Sequence, residues 1–297
     1  MAANLKEVRE RIRSVQNTQQ ITRAMKMVSA AKLRKAQEAI QKMRPYANKL
    51  NAMLRNILSN LEGDAVTTFG QERPVEKACI VVVTSNRGLC GAFNTNVNKA
   101  AAATIETKFA EVYEKGNLSM LFIGKKGYDY FRKRYSNIHF ITDYVSLFDD
   151  LSFDNVSKVS QYLMNAFESE TFDAVHVAFG QFKNAATQLP IAEQFLPVVK
   201  LEKEEEGQNI RADYIFEPGK EGLLEYLVPS ILQTQFQSYL LDTHASEHGA
   251  RMTAMDKATD NAQELLKDLR LSYNKARQEA ITQEIMEIVG GAAALEG

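Results

Sequence analysis

Tryptophan is absent from this 297-residue chain, cysteine occurs twice, histidine four times and proline six times. Each scarcity excludes something. Two cysteines, Cys79 and Cys90, have neither the density of a disulfide framework nor metal-ligand spacing, which fits a reducing compartment and leaves both as packing residues. Long apolar runs are missing too. The longest, such as Ala78 to Val83, fall far short of the roughly 20 residues that cross a bilayer, and no hydrophobic signal segment precedes a cleavage site. The reading is of a chain that does not span a membrane. With 45% hydrophobic and 25% charged residues, it can bury a core in one or two domains.

What the chain does have is an uneven distribution of charge. The net charge is -1, yet residues 1–60 carry 13 Lys and Arg against Glu7, Glu10 and Glu38, and the remainder carries 23 against 34. A basic, acid-poor amphipathic start is similar to a transit peptide, but the pattern continues for roughly 55 residues, several times the length of a cleaved leader. It is therefore read as mature structure. Alternate steps of three and four from Leu5 reach Val8, Ile12, Val15, Gln19, Thr22, Lys26, Ser29, Leu33, Ala36, Ile40, Met43, Ala47, Leu50, Leu54, Ile57 and Leu61. This is a heptad seam with a polar centre, and it predicts one coiled-coil helix of roughly 85 Å. Pro45 falls inside the pattern without shifting its register, which predicts a local kink rather than a stop. Ile21, Met25 and Val28 form a second apolar stripe about 100° from the seam. A second stripe implies a second neighbour.

From Gly63 to Gly219 the period changes. "KACIVVVTS", "LSMLFIG", "NIHFITDYV", "FDAVHVAFGQF" and "PIAEQFLPVV" read as strands, and the stretches Thr95 to Tyr113, Lys125 to Tyr135 and Asn155 to Ala166 read as helices. Alternation of this kind predicts an α/β unit with a largely parallel sheet. The run "LEKEEEG", Leu201 to Gly207, is most simply a solvated hairpin tip. A helix resumes after "EPGKEGLL", with Pro229 as an early kink, and places Met255, Thr259, Ala262, Leu266, Leu269, Tyr273, Ala276 and Ala280 on a second heptad seam rich in small residues. Two such helices joined through a compact domain run back antiparallel against each other. Beyond Ala280 the seam positions become Gln283, Glu287 and Gly290, while the apolar residues shift to Ile281, Ile285, Ile288 and Val289. At about 68 residues against about 57, the C-terminal helix should overrun its partner by roughly 15 Å. The overrun is an apolar tip, which is either an aggregation liability or a surface that another protein encloses.

Three blocks carry a resemblance that spans the chain in order: "VQNTQQITRAMKMVSAAKLRKAQ", "TSNRGLCGAFNTN" and "DNAQELLKDLRLSYNKARQEAITQEIMEIVGGAAA". The sequence resembles the gamma subunits of bacterial-type rotary (F-type) ATP synthases, and Ile281, Thr282, Glu284, Glu287, Gly291 and Ala292 match that family's C-terminal signature. The resemblance implies a long antiparallel coiled coil of the N- and C-terminal helices plus a Rossmann-like α/β domain, divided as 1–62, 63–219 and 220–297. It implies a central rotor shaft inside a ring of alternating alpha and beta subunits, with the α/β domain seated with the epsilon subunit on a membrane rotor ring of c subunits. The ring-facing residues it implies are Met25, Lys26, Arg34, Lys35, Arg277, Gln278, Gln283, Glu284, Ile285, Ile288 and Val289. Arg9, Arg13 and Lys32 join Lys26, Arg34 and Lys35 as counterparts of an acidic loop of the beta subunits, and Arg277 and Gln278 match a pair that meets a carboxylate-bearing beta loop. No catalytic residue, cofactor, metal, nucleic acid or small-molecule substrate is implied. Asn86 stands where the family often has Asp, and Ala92 where it often has a second Gly; the cysteine-bearing insert of the chloroplast members is absent. The lack of a leader before "MAANLKEVRERI" points to the cytoplasmic side of a bacterial inner membrane.

Two other readings come from other features. The glycines of "SNRGLCGAF" after an apolar strand suggest a phosphate cradle, but Gly88 and Gly91 fit neither the dinucleotide fingerprint nor the phosphate loop with its Lys-Ser/Thr pair. A basic coiled coil suggests nucleic-acid binding, which leaves the apolar tip without a purpose. His244 and His248, four apart in "THASEHGA", have zinc-compatible spacing but no evident third ligand, and read as a solvated helical face.

Overall fold

The computed structural model describes residues 5–59, 68–198 and 220–295. Helix α1 (Leu5–Ser59) runs 55 residues through Pro45, and helix α6 (Lys220–Leu295) runs 76 residues through Pro229. Between them lie β1 (Ala78–Val83), α2 (Phe93–Lys108), α3 (Ala110–Glu114), β2 (Leu118–Ile123), α4 (Lys125–Phe131), β3 (His139–Ile141), α5 (Phe153–Glu168), β4 (Ala174–Phe182) and β5 (Gln188–Leu196). The residues group into two compact units: one joins the chain up to Ser29 with the chain from Met252 on, and the other is Ala30–Arg251.

The second unit is built on a five-stranded sheet of order β3-β2-β1-β4-β5. Its first three pairings are parallel and the β4–β5 pairing is antiparallel. The alternation of side chains along β1 explains why the sheet is covered twice. Cys79, Val81 and Val83 face a cluster with Val156, Val159 and Leu163 of α5 and with Leu232, Phe236 and Leu240 of α6. Ala78, Ile80 and Val82 face the opposite cluster, made with Val97, Ala101 and Ile105 of α2 and Phe131 of α4. A strand buried on both faces must be apolar throughout, as "ACIVVV" is. Cys79 belongs to this core, and burial pushes its thiol up to about 12.

All five expected strands form, and the sheet is largely parallel, with β5 as the antiparallel edge. Three details differ from the sequence reading. The "NIHFITDYV" strand shrinks to three residues. The Thr95 to Tyr113 helix breaks at Phe109, whose φ of -126° leaves the helical region, so that α3 starts anew. The C-terminal helix is longer than the expected 68 or so residues because it begins at Lys220, well before Pro229. The "LEKEEEG" run lies outside the described residues.

The first unit pairs the two chain ends. Arg9 Nη2 donates to Tyr273 Oη at 2.8 Å, the Thr22 and Thr259 hydroxyls are 2.8 Å apart, and Lys26 pairs with Asp256. As the α1 number rises the α6 number falls, so the helices are antiparallel. Every seam position expected on α1 from Leu5 to Leu50 is buried or half-buried, and so is every one expected on α6 from Met255 to Ala280. Among the described residues, no helix is long and apolar enough to cross a membrane.

One backbone position tests the sheet unit. After β2 the chain turns through Gly124 at φ +93°, where an added Cβ would meet the Thr84 carbonyl oxygen at 1.9 Å. The obstacle is backbone, and that segment is held by the Thr84 amide donating to Ile123 O at 2.8 Å and the Thr84 hydroxyl accepting from the Gly127 amide at 2.8 Å. Gly124→Ala combines a clash with an unfavourable φ, and is expected to destabilise the chain by about 3 kcal/mol or more, read from urea unfolding.

Candidate partner-binding surface

In the first unit the seam uses small and polar residues at its centre. Thr22 and Ser29 are buried, each with its hydroxyl bonded back to a carbonyl of its own helix. Short side chains bring two helix backbones close while burying little apolar surface, which leaves the larger apolar residues outside. Ile21, Met27 and Val28 are exposed on α1, and Leu271 on α6. Of the expected second stripe, Ile21 and Val28 are therefore exposed and Met25 half-exposed.

The residues singled out from the sequence fall into three groups. Lys26 is half-buried and engaged by Asp256 within the chain. In the sheet unit, Arg34 is exposed and bridges Glu38 one turn on at 3.1 Å, and Lys35 is exposed near His244. Arg277, Gln278, Gln283, Glu284, Ile285, Ile288 and Val289 are all exposed on the last turns of α6, where Gln283 donates to Glu287 at 3.2 Å. Among the described residues, no side-chain ion pair or hydrogen bond is formed by Arg277 or Gln278. The apolar members there, with Ile281 and Met286, range from 47% to 72% exposed. Such a row of aliphatic side chains on one helix end is surface that a partner would gain by covering.

The sequence missed the polar interior of the sheet unit. His248 is buried rather than solvated, and His244 is partly covered, stacked on Phe148 at 6.0 Å, which corrects the solvated-face reading. The reason is packing from several elements: Phe148, the loop after β1 and the lysines of α1 all approach this stretch of α6. Arg251 Nη1 donates to Glu247 Oε1 at 2.6 Å and lies 3.3 Å from His248 Nδ1, while His248 Nε2 lies 3.1 Å from His244 Nε2. The guanidinium has only donors, so His248 Nδ1 accepts and its Nε2 carries the proton toward His244. Burial is the first cause that lowers both imidazoles' affinity for a second proton, followed by the cations Lys32, Arg251 and Lys35 at His244, and by His244 and then Arg251 and Lys32 at His248. The one advance signal was Glu247 and Arg251 four apart on a helix face otherwise rich in small residues. The "SNRGLCGAF" loop is tied up internally: the Ser85 amide donates to Asn94 Oδ1 at 3.0 Å, and the Arg87 and Gly88 carbonyls accept from Arg251. Among the described residues, no cluster of three or more His, Cys, Asp or Glu is placed to hold a metal.

A family model described as ATP synthase matches residues 4–295. The chain is 52% identical over 300 residues to the ATP synthase gamma chain of Cytophaga hutchinsonii, covering 98% of this chain and 99% of that one. It is also 52% identical over 295 residues to the corresponding chain of Flavobacterium psychrophilum, covering 99% and 100%. Among solved structures, it is similar to a chain of the Euglena gracilis mitochondrial ATP synthase in an OSCP/F1/c-ring assembly, with a TM-score of 0.62, 20% identity, and coverage of 98% of this chain and 94% of that one. A chain of the rotor of the same enzyme gives a TM-score of 0.60 at 21% identity, covering 93% and 98%. At those identities the two structures speak to the fold.

The buried imidazoles set a pH dependence. His176 on β4 is buried, with its Nε2 3.2 Å from Lys108 Nζ, and burial followed by the Lys108 charge lowers its pKa to about 4. A histidine depressed below its unfolded value of about 6.5 is neutral in the fold. Its contribution to stability is complete above that value and is lost as pH falls toward about 4, because the unfolded chain then binds more protons. His244 and His248 act in the same sense. Asp242, which burial raises to about 6, acts in the opposite sense below that pH. Glu247, which burial also raises, acts with Asp242, but three imidazoles outweigh two carboxyls, so urea midpoints are expected to fall between about pH 6.5 and 4.5. The slope should be shallower in His176→Phe, by up to about 1.4 kcal/mol per pH unit.

Proposed function

The chain belongs to the ATP synthase gamma-chain family, and from that premise we propose that it is the central rotor shaft of such an enzyme. In this reading it couples ion flow through a membrane rotor of c subunits to ATP synthesis or hydrolysis in a surrounding ring of alpha and beta subunits, and is itself non-catalytic. The epsilon subunit is its companion at the α/β domain. The division 1–62, 63–219 and 220–297 separates shaft helix, α/β foot and shaft helix. The place of work is the cytoplasmic face of a bacterial inner membrane, with the chain held there through its partners.

The observation that carries this reading is the exposed apolar end of α6, Ile281, Ile285, Met286, Ile288 and Val289, beyond the last residues of the paired seam. A nucleotide-binding enzyme or a nucleic-acid-binding coiled coil gives that surface no task, whereas a shaft tip turning in an apolar sleeve does. The exposed Ile21, Met27 and Val28 and the basic face of α1 suit ring contacts that change as the shaft turns. A partner's equilibrium shifts only through differential contact with the face presented to it. Capture of the chain from native membranes should bring down ATPase alpha and beta subunits in stoichiometric amounts; their absence overturns the reading.

Arg277 gives a finer test. Seven residues separate it from Glu284, two turns on nearly the same face, which is too far for a direct pair. With Gln278, it is available for charge-assisted hydrogen bonds to one beta subunit at a time. Arg277→Lys keeps the charge but loses the planar fork. ATPase and synthesis rates of the assembled complex should therefore fall in the order wild type, Lys, Ala. Equal rates for all three would leave Arg277 a solvated residue with no part in coupling.

A further inference from the structure

The order β3-β2-β1-β4 places a topological switch point between β1 and β4. The connection leaving β1 packs helices α2 and α3 on one face of the sheet, and the connection entering β4 packs α5 on the other. In open α/β sheets, ligands bind in the crevice outside the carboxyl ends of the strands at such a point. Here α6 approaches the backbone at those ends. The Ser246 hydroxyl donates to Gly180 O near the end of β4 at 2.9 Å, and the Thr243 hydroxyl accepts from Gly180 N at 3.4 Å. A Cβ on Gly249 would come within 3.3 Å of the Ala185 backbone in the turn after β4. Arg251 reaches the loop after β1: its Nη2 donates to Arg87 O and Gly88 O at 3.2 Å each, and its Nε lies 3.4 Å from Gly88 O.

The fit is that of a bound group. Thr243, Ser246, Glu247 and Arg251 are all buried, with Thr243, Glu247 and Arg251 four apart and Ser246 three after Thr243 on one face of the helix. All three guanidinium nitrogens are engaged, with Nη1 on Glu247 at 2.6 Å. The loop they hold contains a non-glycine residue in the left-handed region, Leu89 at φ +62°, which is 66% exposed. A conformation of that kind persists where its surroundings over-determine it. Here two groups do so: Asn94, bonded to Ser85 and Cys90, and Arg251.

We propose that residues 243–251 of α6 are a built-in ligand of the sheet, occupying its switch point. Arg251 is the positioning residue that locks the loop after β1 to the helix, so that helix and sheet turn together under load. This rests on the shaft reading for its mechanical consequence but not for the lock itself. A helix that carries twist about its own axis loads whatever fastens it to its domain. Apolar contacts resist sliding weakly because they are non-directional. Hydrogen bonds from a planar fork to two fixed carbonyls define one rotational setting.

The two cysteines supply the test in the full chain. Cys90 is a buried residue of the locked loop itself, and Cys79 lies in the core on β1. Arg251→Lys should raise the rate of Cys90 labelling by a thiol reagent about tenfold while Cys79 stays protected. The paired change Arg251→Met with Glu247→Leu removes the fork without stranding a buried charge, a replacement that stability tolerates, and it should release Cys90 in the same way. An unchanged Cys90 rate, wild-type labelling in the paired variant, or a joint rise at both cysteines each overturns the lock. In the assembled complex, the ratio of ion pumping to ATP hydrolysis should fall at least twofold for Arg251→Lys. A released loop with an unchanged ratio overturns the mechanical role. Failure of the wild-type chain to assemble with alpha and beta subunits strikes the shaft reading instead, to which the labelling result is indifferent.

Discussion

The pairing of α1 with α6 is the constraint on which the rest depends, and it is made from the least cohesive material in the chain. Where the helices meet in the first unit, the seam holds Thr22 against Thr259, Lys26 against Asp256, and Ser29 bonded to its own helix. A threonine pair contributes on the order of 1 kcal/mol. The half-exposed Lys26–Asp256 pair contributes no more than that, because water screens it. Full apolar burial among these α6 positions is confined to residues such as Met255, Ala262 and Leu266. Two free helices with such a seam would associate poorly. They are not free: one chain supplies both, and each runs on into the sheet unit, so their encounter is intramolecular and its entropic cost is reduced.

The sheet unit is cohesive in the opposite way. Its central strands are covered on both faces, and the largest fully buried side chains, Phe122, Phe131, Phe167, Phe179, Phe195 and Phe236, all belong to it. Each such ring removes 150–250 Å² from water, roughly 4–6 kcal/mol by area before entropy is counted. Around that apolar centre the chain is fastened by buried charge. Arg73 donates to Asp173 at 2.6 Å and to the Phe167 and Phe172 carbonyls, while the other Asp173 oxygen accepts from the Glu76 and Lys77 amides. Arg251 does the same for the loop after β1. In both cases the guanidinium adds donors to backbone carbonyls of the connections between elements, Phe167 O also accepting from the Glu170 amide and Arg87 O from the Ser85 hydroxyl.

How much of this was legible follows from the range of the interactions. Leu33, Ala36, Ile40, Leu50, Met255, Ala262 and Leu266 were identified as inward-facing from spacing alone, because a helix face is a local property that a repeat of three and four residues records. The five strands were legible for the same reason. The burial of His248 was not: nothing near "THASEHGA" announces that Phe148 will stack on His244, or that the carbonyls of Arg87 and Gly88 will draw Arg251 into the fold beside His248. Nor could spacing choose Asp256 as the partner of Lys26 from among the acids of α6, since that choice depends on the register of two helices separated by more than 200 residues. The break at Phe109 escaped because an apolar residue in an apolar period gives no sign that its backbone will turn. Of the expected ring contacts, Arg34, Lys35 and those from Arg277 to Val289 are exposed, whereas Met25 is half-exposed and Lys26 is half-buried against Asp256; a surface alone does not name what touches it.

A part that acts by rotating needs a surface that is not the same all round, and the seam's composition bears on this. Had the first unit been held by a wide stripe of Leu and Ile, those residues would be spent inside and the exterior left uniformly polar. Small seam residues reverse the allocation. Ile21, Met27, Val28 and Leu271 stand outside. The two helices also differ in charge: residues 5–29 of α1 carry six Lys and Arg against two Glu, whereas residues 252–276 of α6 carry four against four. The pair therefore presents a cationic side with aliphatic patches and a balanced side. For a neighbour whose conformations differ in how much negative or apolar surface they expose, these two sides have different affinities, and only such a difference moves an equilibrium. A tightly self-satisfied coiled coil would be a stiffer cylinder and a poorer signal. The weakness of the seam and the asymmetry of the surface are two consequences of one choice of residues.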